Sequence, residues 1–266
     1  MSVKTGEALA ADIAEWRVAA PTLWWLGHAS FAVKFANILF VVDPLLSDSP
    51  DRPRVVPSPV AAAAIKDVDL VLCTHAHAGH MDGESIRALL AGSPHAKVVL
   101  PKSASSHAHS LGVPYERMTT TDADLRVEYF KDGLYGRVYA APSAHPELDR
   151  TPLGGYPYLG YLIRFGGETI YHAGDCKPYP DLAQRLLRYN VTVALLPIGG
   201  ENFTPGEAAD LCAQIGARWV APMHYGAFED GSDDVNRFIE HLLGQRPEQR
   251  FKVFEPGERW TVPSPE

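Results

Sequence analysis

Three histidines lie close together in the segment His75-Ala-His-Ala-Gly-His80. They follow an apolar run and precede a sequence typical of a helix start, so they belong to a loop held by a rigid scaffold. In extended backbone the side chains of His75 and His77 point the same way, and His80 can approach the same point from the turn into the helix. Neutral imidazoles that converge suit Zn, Mn, Fe or Ni. The cluster predicts a metal site, and the alternative is a set of solvated loop histidines.

Further candidate ligands stand where other apolar runs give way to loops. His145 follows the run 138–141, Asp175 follows a predicted hairpin, and His224 follows the run 219–223. Taken singly, His145 and His224 are better explained by a structural role, and Asp175 is explained equally well by either role. An open catalytic metal site generally needs three or more protein ligands, and these residues together with the histidine cluster would supply enough for two adjacent ions.

Such a site predicts hydrolysis. A divalent ion lowers the pKa of the water it binds from about 16 to about 7 and polarises a carbonyl or phosphoryl oxygen. Asp175 would steer that water and could take its proton. The sequence contains no Gly-x-Ser-x-Gly elbow that would indicate a serine nucleophile.

Strands and helices alternate around these residues. The runs 30–35 and 38–42 predict a hairpin that leads to Asp43, and the apolar run 68–74 predicts a buried strand. Three helices carry recognisable ends. They are a helix capped by Asp82 that stops at Gly92, one opened by the capping box Thr204-Pro-Gly-Glu207 and ended by Gly216, and one opened by Ser232 and closed by Gly244.

A weak internal repeat predicts the arrangement of these elements. Residues 31–37 align with residues 161–167, and each segment reads as a hairpin that leads to an aspartate, Asp43 or Asp175. Any two amphipathic hairpins can align this well, which is the alternative. The repeat favours two β-rich halves with helices on one side, packed sheet to sheet. A site would then lie where loops of the two halves meet.

We therefore expect a single domain over residues 1–266, with similar halves at roughly 20–140 and 150–262. The chain has a formal charge of −8, which argues against nucleic acid as a partner. It has no apolar run near the ~18 residues that cross a membrane and no secretory signal. Three widely spaced cysteines favour a reducing cytoplasm. The expected partner is a small-molecule substrate, and the question of a homo-oligomer stays open.

Over nearly its whole length, the sequence resembles the metallo-β-lactamase-fold hydrolases. Within them it is most similar to the ascorbate-6-phosphate lactonase group, through 155–161 and 223–226. The resemblance implies an α/β (α+β) fold, a four-layer αβ/βα sandwich of two mixed sheets with outer helices. The motifs that carry it are Trp25-Leu-Gly-His-Ala-Ser-Phe31, Val42-Asp-Pro44, the 74–80 histidine run, His145, Gly174-Asp175 and Pro222-Met-His-Tyr-Gly226.

The resemblance also implies roles for individual residues. One or two divalent ions would bind, with Zn or Mn favoured and Fe or Ni as alternatives. Asp175 would bridge two ions, Asp43 would orient a ligand imidazole by accepting its other N–H, and His28 would face the pocket and bind substrate. The implied ligands are His75, His77 and His145 for the first metal, and His80 and His224 for the second.

Gly79 departs from the family pattern, which has an aspartate immediately before the third histidine. That aspartate normally ligates the second metal, so this chain lacks an anionic ligand. Three interpretations follow: a one-metal enzyme, a two-metal enzyme with a weak second site, or a chain that has lost activity. Cys176 is a poor substitute, because adjacent side chains in extended backbone point opposite ways and Asp175 already faces the metals.

Three functions fit these observations. The first is a metal-dependent hydrolase of a small ester or lactone, with or without a phosphate; Arg150, Arg164 and Lys177 are the nearest basic residues. The second is a phosphodiesterase or nuclease on the same fold. The third is a metal- or ligand-binding protein whose catalysis is impaired by Gly79.

Overall fold

The computed structural model describes residues 3–48, 53–228 and 235–264, and its centre is formed by two β-sheets. Each sheet has seven strands and mixes antiparallel with parallel pairs. The first sheet contains β1 (Thr22–Trp25), β2 (Phe31–Phe35), β3 (Ile38–Val42), β4 (Leu70–Leu72), β5 (Lys97–Pro101), β6 (Met118–Thr121) and β14 (Arg259–Thr261). The second contains β7 (Arg126–Lys131), β8 (Leu134–Pro142), β9 (Leu159–Phe165), β10 (Glu168–His172), β11 (Val193–Pro197), β12 (Trp219–Met223) and β13 (Arg250–Phe251).

Both predicted hairpins are present. Strands β2 and β3 pair antiparallel, and so do β9 and β10. Each turn begins with a left-handed residue, Ala36 (φ +52°) in the first hairpin and Gly166 (φ +58°) in the second. In both sheets the hairpin's second strand then pairs in parallel with the next strand, β3 with β4 and β10 with β11.

The core lies between the sheets and beneath the helices. Strand β1 contributes to both parts of this core, because its successive side chains point to opposite faces of the sheet. Leu23 and Trp25 enter the core that the two sheets share, whereas Trp24 and Leu26 pack under the helices of the first sheet. This alternation produces a four-layer sandwich, and the predicted fold class is confirmed.

Helices cover the outer faces. Asp82 caps α2 by accepting from the backbone N–H groups of Glu84 and Ser85, and the predicted capping box of Thr204 and Glu207 opens α5. Ser232, expected to open the last helix, lies outside the described residues. The helices are α1 (Gly6–Glu15), α2 (Gly83–Gly92), α3 (Ser105–Ser110), α4 (Leu182–Leu187), α5 (Pro205–Ile215) and α6 (Val235–Gln245).

One edge of the sandwich collects the loops that carry the candidate residues. The carboxyl ends of β1, β3, β4, β8, β10 and β12 all point the same way within their sheets, as the pairing directions require. Residues 28, 43, 75–80, 145, 175 and 224 follow these ends. Within the described residues, we find no helix that combines the length and apolar character needed to span a membrane.

Candidate metal centre

Seven side chains from five separate loops meet at this edge. They form two groups, and within each group the potential ligand atoms all lie within 4.8 Å of one another. The segment 74–80 consists of bends and turns and is not extended. His75 and His77 nevertheless fall in one group, and His80 falls in the other. The first group is His75, His77, His145 and Asp175; the second is His28, His80 and His224.

Asp175 lies between the two groups and is almost completely buried. Its Oδ1 atom is 3.2 Å from Nε2 of His80 and 3.1 Å from Nε2 of His224. Its Oδ2 atom is 3.7 Å from Nε2 of His75 and 3.5 Å from Nε2 of His145. Each carboxylate oxygen thus faces a different group, so the carboxylate could be shared by two cations.

Asp43 sits below the groups and orients two of the imidazoles. Its carboxylate accepts the N–H and the hydroxyl of Thr74, both at 2.7 Å, and Nδ1–H of His80, also at 2.7 Å. Because the Thr74 hydroxyl gives its proton to Asp43, its oxygen accepts from Nδ1 of His75 at 3.0 Å. Both imidazoles therefore direct Nε2 towards Asp175, and for His75 that nitrogen carries the lone pair needed to bind a cation.

The electrostatics differ from one imidazole to the next. Burial and the nearby charge of His80 hold the pKa of His75 well below its usual value, and burial, followed by the charge of His145, lowers the pKa of His77. Burial also disfavours charge on His80, but the carboxylates of Asp175 and Asp43 outweigh it and raise its pKa to about 10. For Asp175 the effect of burial is likewise outweighed by neighbouring imidazoles, which hold its pKa well below the usual range.

Three residues of the centre adopt a left-handed backbone conformation, which residues other than glycine rarely adopt. The φ angles are +54° for His28, +44° for Asp43 and +66° for His224. The carbonyl of His28 is fixed by two donors, the indole N–H of Trp25 at 2.9 Å and the backbone N–H of His224 at 3.0 Å. Such strained positions are typical of functional sites, and here they turn three side chains towards one point.

Two residues without an assigned role in the sequence analysis also border the centre. The Nδ2 group of Asn202 donates to Oδ1 of Asp175 at 3.4 Å, and its Oδ1 accepts from the backbone of Cys176 at 2.8 Å. The ring of Tyr158 lies 5.3 to 5.6 Å from the rings of the three histidines of the first group. No sequence motif points to Asn202 as a residue of the site. Tyr158 lies in the family-like motif 155–161, which is a sequence signal for its position.

Other polar candidates lie outside both groups. The thiol of Cys176 is buried, its pKa is raised to about 11 chiefly by burial, and its Sγ contacts the carbonyl of Lys177 at 3.4 Å. Asp82 is engaged at the start of α2, where it also accepts from the Ser47 hydroxyl at 2.7 Å. His172 is buried with Nε2 2.7 Å from the carbonyl of Ala29 and belongs to neither group.

Comparison with known proteins agrees with this architecture. A model of the beta-lactamase superfamily domain matches residues 39–225. A UPF0173 metal-dependent hydrolase of Caldivirga maquilingensis is 31% identical over 243 residues, which cover 91% of this chain and 98% of that protein. Its counterpart in Thermococcus kodakarensis is 32% identical over 237 residues, covering 88% and 96%.

A solved structure extends the likeness to the fold. Igni18, described as a novel metallo hydrolase from Ignicoccus hospitalis, superposes with a TM-score of 0.72 at 23% identity, covering 92% of this chain and all of that one. Family match, close relatives and sandwich architecture coincide over the same residues. The chain accordingly belongs to the beta-lactamase superfamily and, within it, to the UPF0173 family of metal-dependent hydrolases.

Proposed function

We propose that this protein hydrolyses a small ester or lactone at a centre of divalent cations held by the two groups. The observation that carries the proposal is the position of Asp175, whose two carboxylate oxygens face different sets of imidazoles. Four histidine nitrogens lie within 3.7 Å of this carboxylate, and a purely structural role for Asp175 would not explain so many.

The residues fit divalent cations. Nε2 of His75 is buried and makes no hydrogen bond, and it faces Asp175 at a distance too long for one. Leaving a buried polar nitrogen without a partner is unfavourable, and buried polar groups in proteins generally bind another group, a water or an ion. A set rich in imidazole with one carboxylate suits Zn, Fe or Ni, and it admits Mn.

When bound, a divalent cation supplies Lewis-acid chemistry, polarising a substrate oxygen and acidifying water. The chain's own residues then orient the water and the substrate. Asp175 stays ionised at neutral pH, so its carboxylate can bind cations and can orient the attacking water by accepting a hydrogen bond from it. Burial, followed by the charges of Asp149 and Asp175, raises the pKa of Tyr158. Its hydroxyl therefore keeps its proton and can donate a hydrogen bond to a substrate oxygen.

The substrate class is inferred from two sequence motifs and from the residues that border the centre. The family-like motifs 155–161 and 223–226 favour a lactone, and the first of them contributes Tyr158 to the border of the centre. A phosphorylated substrate would need a cation near that border. Arg150 is one candidate. Its guanidinium lies 4.4 Å from the centre of the Tyr156 ring, and Tyr156 belongs to the loop that also carries Tyr158.

The test is a panel of lactones, carboxylic esters, thioesters and phosphodiesters. It is run with protein loaded with Zn or Mn and with protein treated with chelator. We expect metal-dependent turnover of the lactone or ester members and its loss in Asp175→Asn. Turnover confined to phosphodiesters would favour the phosphodiesterase alternative. Absence of turnover across the panel, with metal shown to be bound, would overturn the proposal.

A further inference from the structure

The ring of His28 lies directly against position 79. A Cβ atom built on Gly79 would lie 3.2 Å from Cε1 and 3.9 Å from Nδ1 of that ring. A side chain at 79 would therefore press on the ring, which would have to shift by a few tenths of an ångström to admit it. With glycine at 79, the ring can keep its present position beside the second group.

The His28 ring is placed for ligation. Its centroid is 3.9 Å from that of His224 and 5.5 Å from that of His80. A potential ligand nitrogen of each residue lies within 4.8 Å of the other two, so small side-chain movements would bring all three within the bond length of about 2.0–2.1 Å of one cation. The backbone of His28 is held at a left-handed φ by donors to its carbonyl, so the ring position is built into the turn.

We propose that His28 is a ligand of the second metal and takes the place of the absent aspartate. This assignment rests on the proposed metal-dependent function and changes the expected role of His28 from binding substrate to binding metal. The second site then consists of His28, His80 and His224 with Oδ1 of Asp175. Gly79 is the residue that gives the His28 ring room to reach it.

The exchange alters the chemistry of the second site. Replacing a carboxylate by a neutral imidazole removes one negative charge and leaves three nitrogen donors and one shared oxygen. Nitrogen-rich sites favour Zn, Ni, Co or Cu, whereas carboxylate-rich sites suit Mn and Mg. The second site is therefore expected to select Zn over Mn more strongly than a site that contains the aspartate.

The experiment counts metal ions per chain in the full-length protein. Zn-loaded protein is dialysed and measured by elemental analysis, and the two binding events are followed by calorimetry. Asn is the chosen replacement for His28 because it tolerates left-handed backbone and is too short to reach. We expect two ions in the wild type, one in His28→Asn, and two again in His28→Asn combined with Gly79→Asp. His109→Asn, which removes an exposed histidine on α3, should keep two.

An equal number of ions in the wild type and in His28→Asn would overturn the proposal. If His28→Asn fails to fold, an anomalous-scattering map of the wild type decides. A peak at about 2.0–2.1 Å from a ring nitrogen of His28 supports the assignment, and a second-site peak with His28 beyond bonding distance refutes it. Metal counts do not depend on turnover, so failure of the hydrolysis panel leaves this test intact.

Discussion

The ring of His28 lies against Gly79, with Cε1 of the histidine 3.2 Å from the point where a Cβ atom of residue 79 would stand. The φ angle of Gly79 is not left-handed, so the backbone alone does not require glycine there. A side chain at 79 would instead press on the neighbouring imidazole, which would shift by a few tenths of an ångström to admit it.

The single substitution Gly79→Asp should therefore bring no large gain. The new side chain would press on the His28 ring, with its Cβ atom 3.2 Å from Cε1, and overpacking of this kind costs up to about 1–3 kcal/mol. We expect unchanged or reduced turnover and a lower melting temperature. Gly167→Ala is the control, since nothing lies within 4 Å of its Cβ. A rate increase of several orders of magnitude would instead mean that the natural site is impaired.

Asp43→Asn should weaken metal binding although Asp43 is in neither ligand group. It accepts from His80 and Thr74, and loss of such an orienting carboxylate typically reduces metal affinity about 10–100-fold. Calorimetric titration with Zn measures the change.

Asp69→Asn is the matched control for this substitution. Asp69 is also a buried carboxylate, and it accepts from the backbone N–H of Leu39 at 2.7 Å and from Nζ of Lys131 at 2.9 Å. Its replacement should reduce stability and leave Zn affinity unchanged. If Asp43→Asn binds Zn as tightly as the wild type, the orienting role is wrong.

Lys34 lies away from the metal centre. Its contribution to the free energy of unfolding should increase with pH. Burial, followed by the charges of Arg17 and Lys131, lowers its pKa to about 8, against about 10.4 in an unfolded chain. Between these values the unfolded chain binds more protons than the folded one, so this residue's contribution to stability increases with pH. The limiting slope is about 1.4 kcal/mol per pH unit.

Urea denaturation of the wild type and Lys34→Met at pH 7.5, 9 and 10 measures this effect. Because cysteines and tyrosines also titrate in this range, the informative quantity is the difference between the two proteins. It should shift in favour of the wild type up to about pH 10. A difference that does not change with pH would show that Lys34 titrates normally.

Cys176→Ala should leave the number of bound ions unchanged. The thiol lies outside both ligand groups, and burial, the leading cause, raises its pKa to about 11, so a thiolate is disfavoured at neutral pH. We expect a loss of about 1 kcal/mol in unfolding free energy, comparable with Cys212→Ala, another fully buried cysteine. Elemental analysis that shows fewer Zn ions in Cys176→Ala alone would contradict this expectation.

Much of the fold could be predicted from local pattern. The hairpins at 30–42 and 159–172, the cap of α2 at Asp82 and the capping box at Thr204 depend on neighbouring residues, and all are confirmed. Helices α1 and α4 were not predicted. Helix α1 buries Leu9, Ala10 and Ile13 but is otherwise exposed, and α4 is only six residues long, so neither leaves a clear periodic signal.

The sequence by itself determined the chemistry available to this protein: many histidines, one aspartate suited to bridge, and a glycine where a carboxylate is usual. The family resemblance implied that His80 belongs apart from His75 and His77. Only the tertiary structure brought His28 to His224 across almost two hundred residues. The reason is that strand ends meet through sheet pairing and left-handed turns, and no spacing along the chain records which loops will share an edge.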